Sequence, residues 1–551
     1  MPDMTLVALI HERAEQNGDK VALIYPAEQS TYAELSAAVD QIAAGLMGLG
    51  VVPGDRVGYL LGDGPKCLPI LFGIIKSGAI AVPINNRFKA YELSKVLARS
   101  GLKALLTEPQ QSAASADFVA LLRESFHDLP EDASGALSLA DLPELNHLIS
   151  VDAAERGGLT AWQDFLAGGE AITPGELTAR ANDVQAEDVA IIKYTSGTTG
   201  VPKGAMLTHK AILGAAEGSS QGRFSLTPDD VLWTALPLFH IGGVAFAIAC
   251  IWSRCAYVHP GFFDPTVAIE QMIEHEVTVS LPAFETIWLP VVDHPRWSEV
   301  DQRRLRIVAC VGTEERLKDI QSRHPSAPVM SCFGMTEACG YLSLVLPDDP
   351  LDVRIGTGGL PLPGMEAKIA DPDSGETLAP GQLGEICFRG PNAFSGYFQE
   401  PEMNAEVWDE DGYFHSGDLG FMDEAGRVTF RSRIKDMLKV GGENVAAAEV
   451  EDYLITHPAV NIVQVVAAPD ARYVEVPAAF VQLQPGASAT EEELIDYCRG
   501  KIATFRVPRY VRFIDEWPMS GSKIKKIELR QNIAEELEKA GITEAPKVSS
   551  G

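Results

Sequence analysis

The composition of this 551-residue chain is that of an ordinary globular protein, because 46 % of its residues are hydrophobic and 22 % are charged. At about 150 residues per domain, the length predicts roughly three to four domain-sized units and a core large enough to fold without disulfides or metals. The net charge is −31, from 76 acidic and 45 basic residues. A field of that sign repels phosphate backbones, which disfavours nucleic-acid binding.

Cysteine spacing and hydropathy favour a cytoplasmic protein. The eight cysteines form no C-x-x-C pair, which is typical of reduced thiols rather than of a disulfide framework or a zinc site. The first residues show no signal-peptide pattern. The longest strongly apolar run, Val244 to Trp252, is far shorter than the roughly 20 residues that cross a bilayer. We therefore expect a cytoplasmic protein without a membrane span.

Strand-like and helix-like patterns alternate through the first hundred residues. Residues 32–49 read as an amphipathic helix, 56–61 as a strand, 68–77 as a buried helix and 79–83 as another strand. Strands that alternate with helices of this length predict a parallel, doubly wound sheet.

Four further regions follow along the chain. Residues 108–187 have weak periodicity and are predicted to be surface elaboration, whereas a second α/β stretch runs from 189 to 346. Glycine and proline punctuate short strands from 356 to 423, which predicts a small barrel-like subdomain. The last hundred residues have the pattern of a compact α+β unit.

The most informative segment, Y-T-S-G-T-T-G-V-P-K-G, extends from Tyr194 to Gly204 after an apolar strand. Its glycines let the backbone turn tightly and approach an anion closely. The side chains offer a polyphosphate four hydroxyls and one cation: Thr195, Ser196, Thr198, Thr199 and Lys203. A surface turn has a similar composition, and the spacing is not that of the P-loop of kinase-like NTPases.

This segment resembles the signature loop of the adenylate-forming superfamily, which includes acyl-CoA synthetases, nonribosomal-peptide adenylation domains and firefly luciferase. Thr31 to Leu35 fits the same pattern upstream. Further motifs of that superfamily follow in family order: Phe333-Gly-Met-Thr-Glu337, Gly384 to Pro391 with Gly396-Tyr397, His415-Ser-Gly-Asp418, Arg433 to Glu451 and Pro518 to Lys526. The chain is most similar to a fatty-acid or aromatic-acid CoA ligase.

The resemblance implies an ATP-dependent carboxylate–CoA ligase that uses ATP, Mg²⁺ and coenzyme A. A carboxylate is a poor acyl donor, and its attack on the α-phosphate of ATP expels pyrophosphate and gives an acyl-AMP with a good leaving group. The CoA thiol then takes the acyl group. Because two anions must meet in the first step, the site has to supply positive charge and exclude water.

The resemblance also assigns site residues. The loop residues Thr195, Ser196, Gly197, Thr198, Thr199, Gly200 and Lys203 would cradle the β- and γ-phosphates. Phe333 would stack near the adenine, Thr336 would bind the α-phosphate, and Glu337 would hold Mg²⁺ together with the Thr195 hydroxyl. Asp418 would accept the ribose hydroxyls, with a further contact from Arg433. The remaining cofactor-binding positions are Gly312, Gly334 and Met335.

In the family, the C-terminal domain rotates between adenylation and thioester formation, and two parts of the C-terminal region resemble the residues involved. Lys523 would bridge the carboxylate and the α-phosphate, although glycine stands one position early, at Gly521, and Lys525 and Lys526 lie close enough to compete. Lys435 would be the hinge between an adenylation domain, residues 1–434, and a C-terminal domain, residues 435–551. After adenylation that domain would rotate and present a pantetheine tunnel lined by Gly441 and Gly442.

The acyl pocket is the least readable part of the site. His240, in P-L-F-H-I-G-G, resembles the residue that gates the acyl site, and a satisfied core histidine is the competing interpretation. Predicted walls are Trp233, Phe246, Phe284, Trp288, Val311, Gly312 and Thr313. The segment around His240 carries no lysine or arginine, so we expect an apolar monocarboxylate rather than a dicarboxylate.

Three alternatives stay open. Gly218 to Gly222 fits G-x-S-x-G, which in a strand-to-helix turn would make Ser220 the nucleophile of a hydrolase. An adenylating ligase could instead pass the acyl group to a carrier-protein thiol, an amine or oxygen. A nucleotide-binding protein without turnover is disfavoured because Lys523 and Glu337 are both present. The partners are a small carboxylic acid, ATP and CoA, and homodimer formation is left open.

Overall fold

Two mainly parallel β-sheets build the large N-terminal part of the protein in a computed structural model. The structure describes residues 4–110, 116–129, 137, 139–152, 159–195, 202–312, 314–372, 374–434, 437–520, 523–524 and 526–548. A smaller C-terminal α+β unit follows, so the predicted α/β class with a small second domain is confirmed.

The first sheet has the strand order β6-β5-β3-β4-β7-β8, and its neighbours are parallel except for β7 and β8. The elements of the first 219 residues are α1 (Leu6–Asn17), β1 (Val21–Tyr25), β2 (Glu28–Thr31), α2 (Tyr32–Gly48), β3 (Arg56–Leu60), α3 (Cys67–Lys76), β4 (Ile80–Pro83), α4 (Ala90–Ser100), β5 (Leu102–Thr107), α5 (Phe118–Ser125), β6 (His147–Ser150), α6 (Trp162–Gly168), α7 (Pro174–Asp183), β7 (Val189–Thr195), β8 (Lys203–Thr208) and α8 (His209–Ser219). The prediction of surface elaboration over 108–187 is wrong in one respect, because β6 pairs with β5 as an edge strand of this sheet.

Local sequence explains where the first predicted helix begins. The side chain of Thr31 accepts a hydrogen bond from the Glu34 amide, and the Glu34 carboxylate accepts one from the Thr31 amide. This reciprocal capping satisfies two amides that a helix start would otherwise leave unpaired. The predicted helix over 32–49 is therefore observed as α2, one residue shorter.

The second sheet has the order β13-β12-β11-β9-β10-β1-β2, and only β1 and β2 are antiparallel neighbours. Its further elements are β9 (Val231–Trp233), α9 (Ile241–Ser253), β10 (Ala256–Val258), α10 (Pro265–Glu274), β11 (Val279–Phe284), α11 (Glu285–Val292), β12 (Ile307–Val311), α12 (Glu314–Arg323) and β13 (Val329–Met330). The strands run parallel, so their carboxyl ends meet at one edge, where α/β proteins place their ligands.

Helix α9 contains the longest apolar run of the sequence and lies in the core. Every residue from Gly243 to Ser253 is buried, as expected for a helix that is apolar on all sides. In the part of the chain that the structure describes, no helix combines the length and apolarity that crossing a bilayer requires. The run therefore belongs to the core between the sheets.

Antiparallel strands form one sheet of three strands (β14-β15-β16) and one of four (β17-β18-β19-β20). Strands β16 to β19 lie in the region predicted to be barrel-like, 356–423, whereas β14 and β15 precede it, within the stretch predicted to be α/β. The elements are β14 (Cys332–Phe333), β15 (Ser343–Leu344), α13 (Leu351–Gly356), β16 (Leu360–Pro361), β17 (Glu366–Ala370), β18 (Gly384–Arg389), α14 (Pro401–Glu406), β19 (Phe414–Met422) and β20 (Val428–Arg433). The last strand carries this region ten residues past the predicted end, to Arg433.

The C-terminal unit is a sheet of order β22-β21-β24-β23, with β25 added beside β24, and helices pack on it. Its elements are β21 (Met437–Val440), β22 (Glu443–Ala446), α15 (Ala447–Leu454), β23 (Val460–Asp470), β24 (Val474–Leu483), α16 (Glu491–Cys498), β25 (Tyr510–Phe513), β26 (Met519–Ser520), β27 (Lys523–Ile524) and α17 (Lys526–Lys539). Two hydrophobic clusters form its core, and their buried members all belong to the C-terminal unit. The predicted hinge, Lys435, lies outside the described residues, and the boundary at 434 stays a prediction.

Candidate active site

The predicted phosphate loop connects two antiparallel strands of the first sheet. Thr195, at the end of β7, pairs in register with Lys203, at the start of β8. The Lys203 ammonium lies 5.4 Å from the centre of the Tyr397 ring. The loop residues Ser196, Gly197, Thr198, Thr199 and Gly200 lie outside the described part of the chain. The two strand ends thus bring a hydroxyl and a cation to one place.

Tyr397 connects this hairpin to Glu337. Its hydroxyl donates to Glu337 Oε1 at 2.8 Å, and its backbone bridges to Ala205 in β8. The carbonyl of Glu337 also accepts a bond from the Phe394 amide at 2.8 Å. The structure therefore brings Thr195, Lys203 and Glu337 together. Sequence reasoning quoted Tyr397 within a motif but gave it no role.

A tight turn presents Thr336 and Glu337 after β14. A Cβ atom at Gly334 would stand 1.9 Å from the carbonyl oxygen of Gly340, so only glycine fits this position. Thr336 begins a one-turn 3₁₀ helix and is half-buried, and Met335 packs against the main core. The ring of Phe333 stacks on Phe430 in β20, with centroids 5.7 Å apart. This stacking joins the turn to the antiparallel sheet.

Asp418 and Arg433 occupy opposite backbone positions on neighbouring strands of that sheet. They are register partners in β19 and β20, and Asp418 is 2 % exposed. The Asp418 amide donates to the hydroxyl of Ser416, which in turn donates to the carbonyl of Ile386. The predicted ribose-binding pair is thus held side by side on neighbouring strands.

Three side chains support the turn before Asp418: Glu385, Cys387 and His415. Glu385 accepts a hydrogen bond from the Gly417 amide, and its other oxygen lies 2.7 Å from His415 Nδ1. Cys387 Sγ lies 3.5 Å from the same nitrogen. Although these residue types can bind metals, a separation of 2.7 Å is that of a hydrogen bond. We therefore assign the cluster to supporting the turn.

His240, the predicted gate, is surrounded by charged residues that are distant from it along the chain. Its Nε2 lies 3.4 Å from the carboxylate of Glu443, a buried residue of the C-terminal unit. Arg87 pairs with the same carboxylate. Lys193, in β7, is 4 % exposed, and its ammonium lies 5.5 Å from the ring centre of Phe239. The assumption that no basic side chain reaches the gate is therefore wrong.

The charges of this group depend on one another. Burial by itself raises the pKa of Glu443, but His240, Arg87 and Lys193 together lower that pKa to about 2. Burial lowers the pKa of Lys193 to about 7, against the opposing effect of Glu443. Burial also lowers the pKa of His240. At neutral pH, Glu443 is therefore the anion that compensates the cations at the gate.

The turn before Glu443 contains the two glycines that were predicted to line a tunnel. Val440 pairs with Glu443, so Gly441 and Gly442 form a two-residue hairpin loop between β21 and β22. Both have positive φ, +56° and +89°, as the favoured hairpin turn requires. A Cβ atom at Gly442 would stand 2.9 Å from the ring of Phe284. The tip of this hairpin thus lies against the predicted acyl site.

Three of the predicted walls of that site, Phe284, Val311 and Gly312, lie at the carboxyl ends of β11 and β12. Phe284 pairs in register with Val311, and a Cβ atom at the next residue, Gly312, would stand 2.4 Å from the carboxylate of Glu285. Thr313 lies outside the described residues.

Two of the predicted tryptophan walls belong to the core instead. Trp233 donates its indole N–H to Gln271, and Trp288 packs edge-on against Trp297. Both tryptophans are fully buried within one core cluster. Phe246 packs between Phe224 and Tyr341. Of the predicted aromatic walls, Phe284 is therefore the one that contacts the hairpin tip.

Lys523 belongs to a short pair of strands in the C-terminal unit. It starts β27, which pairs with β26 through the register Ser520–Lys523. The neighbouring Ile524 packs in a hydrophobic cluster of the C-terminal unit. Lys526 is paired with Glu451 of α15 at 2.6 Å. The structure thus brings Gly441, Gly442 and Glu443 to the gate, and the role of Lys523 stays a prediction.

A buried ion network fixes the contact between the two parts of the chain. Arg506 lies between Glu92 of α4, at 3.0 Å, and Glu449 of α15, at 2.8 Å, and all three are buried. The Ala503 amide also donates to Glu92. Removing one member of such a network is costly because it leaves a buried charge uncompensated. The network therefore holds α15 on α4 in the arrangement described.

The hydrolase alternative does not fit the structure. Ser220 follows helix α8 in a short π-helical turn, whereas a nucleophile elbow follows a strand. The side chain of Ser220 is fully buried and its hydroxyl donates to the carbonyl of Glu217. Its sequence match is therefore incidental.

Comparisons with known proteins agree with this geometry. The family model described as AMP-binding enzyme matches residues 10–398, and the model of the AMP-binding enzyme C-terminal domain matches residues 449–523.

Named relatives match nearly the whole chain. The chain is 33 % identical to the putative acyl-CoA synthetase YngI of Bacillus subtilis (strain 168), over 96 % of this chain and 97 % of that protein. It is 34 % identical to the 3-[(3aS,4S,7aS)-7a-methyl-1,5-dioxo-octahydro-1H-inden-4-yl]propanoyl:CoA ligase of Mycobacterium tuberculosis, over 96 % and 98 %.

Among solved structures, the o-succinylbenzoate CoA synthetase (MenE) of Bacillus subtilis, a double mutant bound with its product analogue OSB-NCoA, superposes with a TM-score of 0.77. The two share 26 % identity, over 96 % of this chain and 99 % of that one. The chain therefore belongs to the AMP-binding enzymes of the adenylate-forming superfamily, and it is an AMP-forming acid–thiol ligase that uses ATP and CoA.

Proposed function

We propose that this ligase activates an apolar monocarboxylic acid as its acyl-AMP and transfers the acyl group to the thiol of coenzyme A. The observation that carries the proposal is the position of the Gly441–Gly442 turn, which touches Phe284 while the next residue, Glu443, contacts His240. A backbone without side chains at that turn leaves room for a thiol arm beside the acyl site.

In the first half-reaction, the residues around the phosphate hairpin bind ATP. Lys203 and the loop after Thr195 hold the outer phosphates, and Asp418 accepts the ribose hydroxyls beside Arg433. Thr336 donates to the α-phosphate. Each of these groups fixes charge and geometry before the carboxylate attacks, which is how phosphoryl and adenylyl transfer is accelerated.

Mg²⁺ is the divalent cation that fits the oxygen donors at this place. The Glu337 carboxylate is oriented by the hydroxyl of Tyr397, and Thr195 stands beside Lys203 next to the same tyrosine. Carboxylate and hydroxyl oxygens are ligands that a hard cation prefers. Glu337, with Thr195, would hold Mg²⁺, whose charge neutralises the phosphates.

In the second half-reaction, the C-terminal unit has the position seen here. Its hairpin tip is at the gate. Lys523 would act in the other arrangement, after rotation about Lys435. The buried Glu92–Arg506–Glu449 network would hold the thioester-forming arrangement until the product leaves.

The acid is proposed to be apolar because the described walls at the strand ends, Phe284, Val311 and Gly312, carry no charge. Arg87 and Lys193 do reach the gate, which removes the sequence argument against a second carboxylate. However, Glu443 already compensates them while the hairpin is in place. A second acidic group would have to compete with this carboxylate.

We expect kcat/KM to rise from acetate to octanoate and bulkier ring acids, measured with CoA and Mg-ATP. Each buried methylene contributes about 0.8 kcal/mol of transfer free energy, or roughly fourfold, until the pocket is full. Acetate buries almost no surface and should be poor.

Product identity tests the acceptor in the same assay. Formation of acyl-CoA, with pyrophosphate release that is retained when CoA is omitted, supports the two-step reaction. A maximum at acetate or malonate would refute the apolar acid. Acylation of a supplied amine or carrier thiol in preference to CoA would refute the CoA acceptor.

A further inference from the structure

The backbone of the gate segment, Leu236 to His240, is held by three side chains from other parts of the fold. The Leu238 amide donates to Asp63 Oδ1 at 2.6 Å, and the Leu238 carbonyl accepts from the Tyr59 hydroxyl at 3.0 Å. The Leu236 carbonyl lies 3.0 Å from His259 Nε2. The gate segment lies between β9 and α9 and outside both, so these side chains replace the hydrogen bonds of a regular element.

Two of the three side chains, Tyr59 and His259, lie in the core, and partly buried Asp63 lies in the turn between β3 and α3. Tyr59, the last residue but one of β3, is 2 % exposed, whereas His259 follows β10 and is fully buried. His259 is itself oriented, because its Nδ1 accepts a bond from the Gly261 amide at 3.0 Å. Burial raises the pKa of Asp63 to about 6 and lowers the pKa of His259 to about 4. At neutral pH an anion and a neutral imidazole therefore hold the segment.

Placing such groups in the interior is costly unless each of them is hydrogen-bonded. Here they bond the backbone two to four residues before His240. Phe239 and His240 themselves face Lys193, Arg87 and Glu443. Because the backbone amide and carbonyl of Leu238 are both hydrogen-bonded, the direction of the chain from Leu238 to His240 is fixed.

We propose that Tyr59, Asp63 and His259 are positioning residues that set the place of the His240 gate and thereby the fit of the acid and the thiol. The inference rests on the proposed function for the role of His240, but the hydrogen bonds themselves do not. A misplacement of about 1 Å can reduce catalysis by roughly 10²-fold. The supports of the gate segment should therefore influence turnover without touching ATP.

A matched pair of tyrosines tests the proposal. Tyr59 and Tyr25 are both buried, and burial raises the pKa of both, with Asp63 and Cys67 close to each. The hydroxyl of Tyr59 bonds the gate segment, whereas that of Tyr25 has no hydrogen-bond partner among the residues that the structure describes. Tyr59→Phe and Tyr25→Phe each delete one buried hydroxyl, and only the first removes a support of the gate.

We expect Tyr59→Phe to lower kcat/KM for the preferred acid by about threefold to tenfold, as the loss of one hydrogen bond predicts. The KM for ATP should be unchanged, and Tyr25→Phe should match the wild type. Asp63→Ala should cost more, about 10- to 100-fold, because it leaves the Leu238 amide unpaired. Asp63→Asn keeps an acceptor and should restore most of this loss.

Hydrogen–deuterium exchange of the peptide that contains residues 236–240 gives a readout that does not depend on activity. Faster exchange there in Tyr59→Phe, and not in Tyr25→Phe, supports the proposal even if the wild type ligates none of the acids tested. Equal exchange and equal kinetics in the two variants would overturn it. A fall in kcat/KM for the acid that is accompanied by an equal rise in the KM for ATP would also overturn the proposal, because that pattern indicates general destabilisation.

Discussion

Lys523→Ala is expected to abolish adenylation while sparing transfer of a preformed acyl-AMP to CoA. The lysine would stabilise charge that develops at the α-phosphate, and removing one such donor commonly costs about 10²–10³-fold in rate. In the structure Lys523 begins strand β27, which pairs with β26. Pyrophosphate exchange measures the first step, and thioester formation from synthetic acyl-AMP measures the second.

Lys526→Ala is the matched control for this prediction. The ammonium of Lys526 is already paired with Glu451 and lies 3.5 Å from the carbonyl of Val465. It therefore has a structural role within the C-terminal unit, and its loss should leave pyrophosphate exchange within about threefold of wild type, as is usual for a partly exposed ion pair. Loss of exchange in Lys526→Ala with normal exchange in Lys523→Ala would place the catalytic lysine at 526.

The order of many elements could be predicted from sequence, and candidates for the ATP site could be named, because both kinds of signal are local. The capping pair Thr31 and Glu34 indicates the start of α2, and the two adjacent glycines at 441 and 442 are typical of a tight hairpin turn. The phosphate segment carries its hydroxyls, glycines and lysine within eleven residues. Hydrophobic periodicity and turn residues of this kind can be recognised without knowing the tertiary contacts.

The surroundings of the gate could not be predicted because they depend on long-range contacts. Arg87 and Glu443 are 356 positions apart, yet they form one ion pair. Lys193 follows four apolar residues of β7, and this lysine was the one feature of the local sequence that indicated a buried charge near the phosphate segment. Trp233 and Trp288 were wrongly predicted to line the acyl pocket, because residue type alone does not show where an aromatic side chain packs. Large aromatic residues occur in cores as readily as in pockets, and only packing distinguishes the two.

Replacing Glu443 with glutamine is expected to slow thioester formation by about 30-fold or more and to leave adenylation intact. Loss of one partner from a buried, hydrogen-bonded charge pair costs about 2–5 kcal/mol. Here that cost falls only on the arrangement in which the hairpin meets Arg87, Lys193 and His240. The population of this arrangement should fall accordingly. Stopped-flow transfer from acyl-AMP to CoA, beside pyrophosphate exchange, measures the split.

The defect of Glu443→Gln should also depend on pH in a defined direction. Lys193 has a pKa of about 7, and it loses its proton as the pH rises. With the ammonium neutral, fewer uncompensated charges remain at the gate, so the ratio of wild-type to variant transfer rates should shrink between pH 6 and pH 9. Arg87 stays charged throughout, and part of the defect should therefore persist.

Asp452→Asn is the control for a contact between the same two parts of the chain. Asp452 of α15 lies 3.9 Å from Lys95 of α4, and both side chains are partly exposed. Pairs of this kind contribute about 0–1 kcal/mol, so transfer should change by less than about fivefold. A double-mutant cycle with Arg87→Met should show that Glu443 and Arg87 are coupled, since the second substitution removes a charge that the first has left unpaired. Additive effects of the two substitutions, or an equal loss of both half-reactions in Glu443→Gln, would show that the gate contact does not stabilise the thioester-forming arrangement.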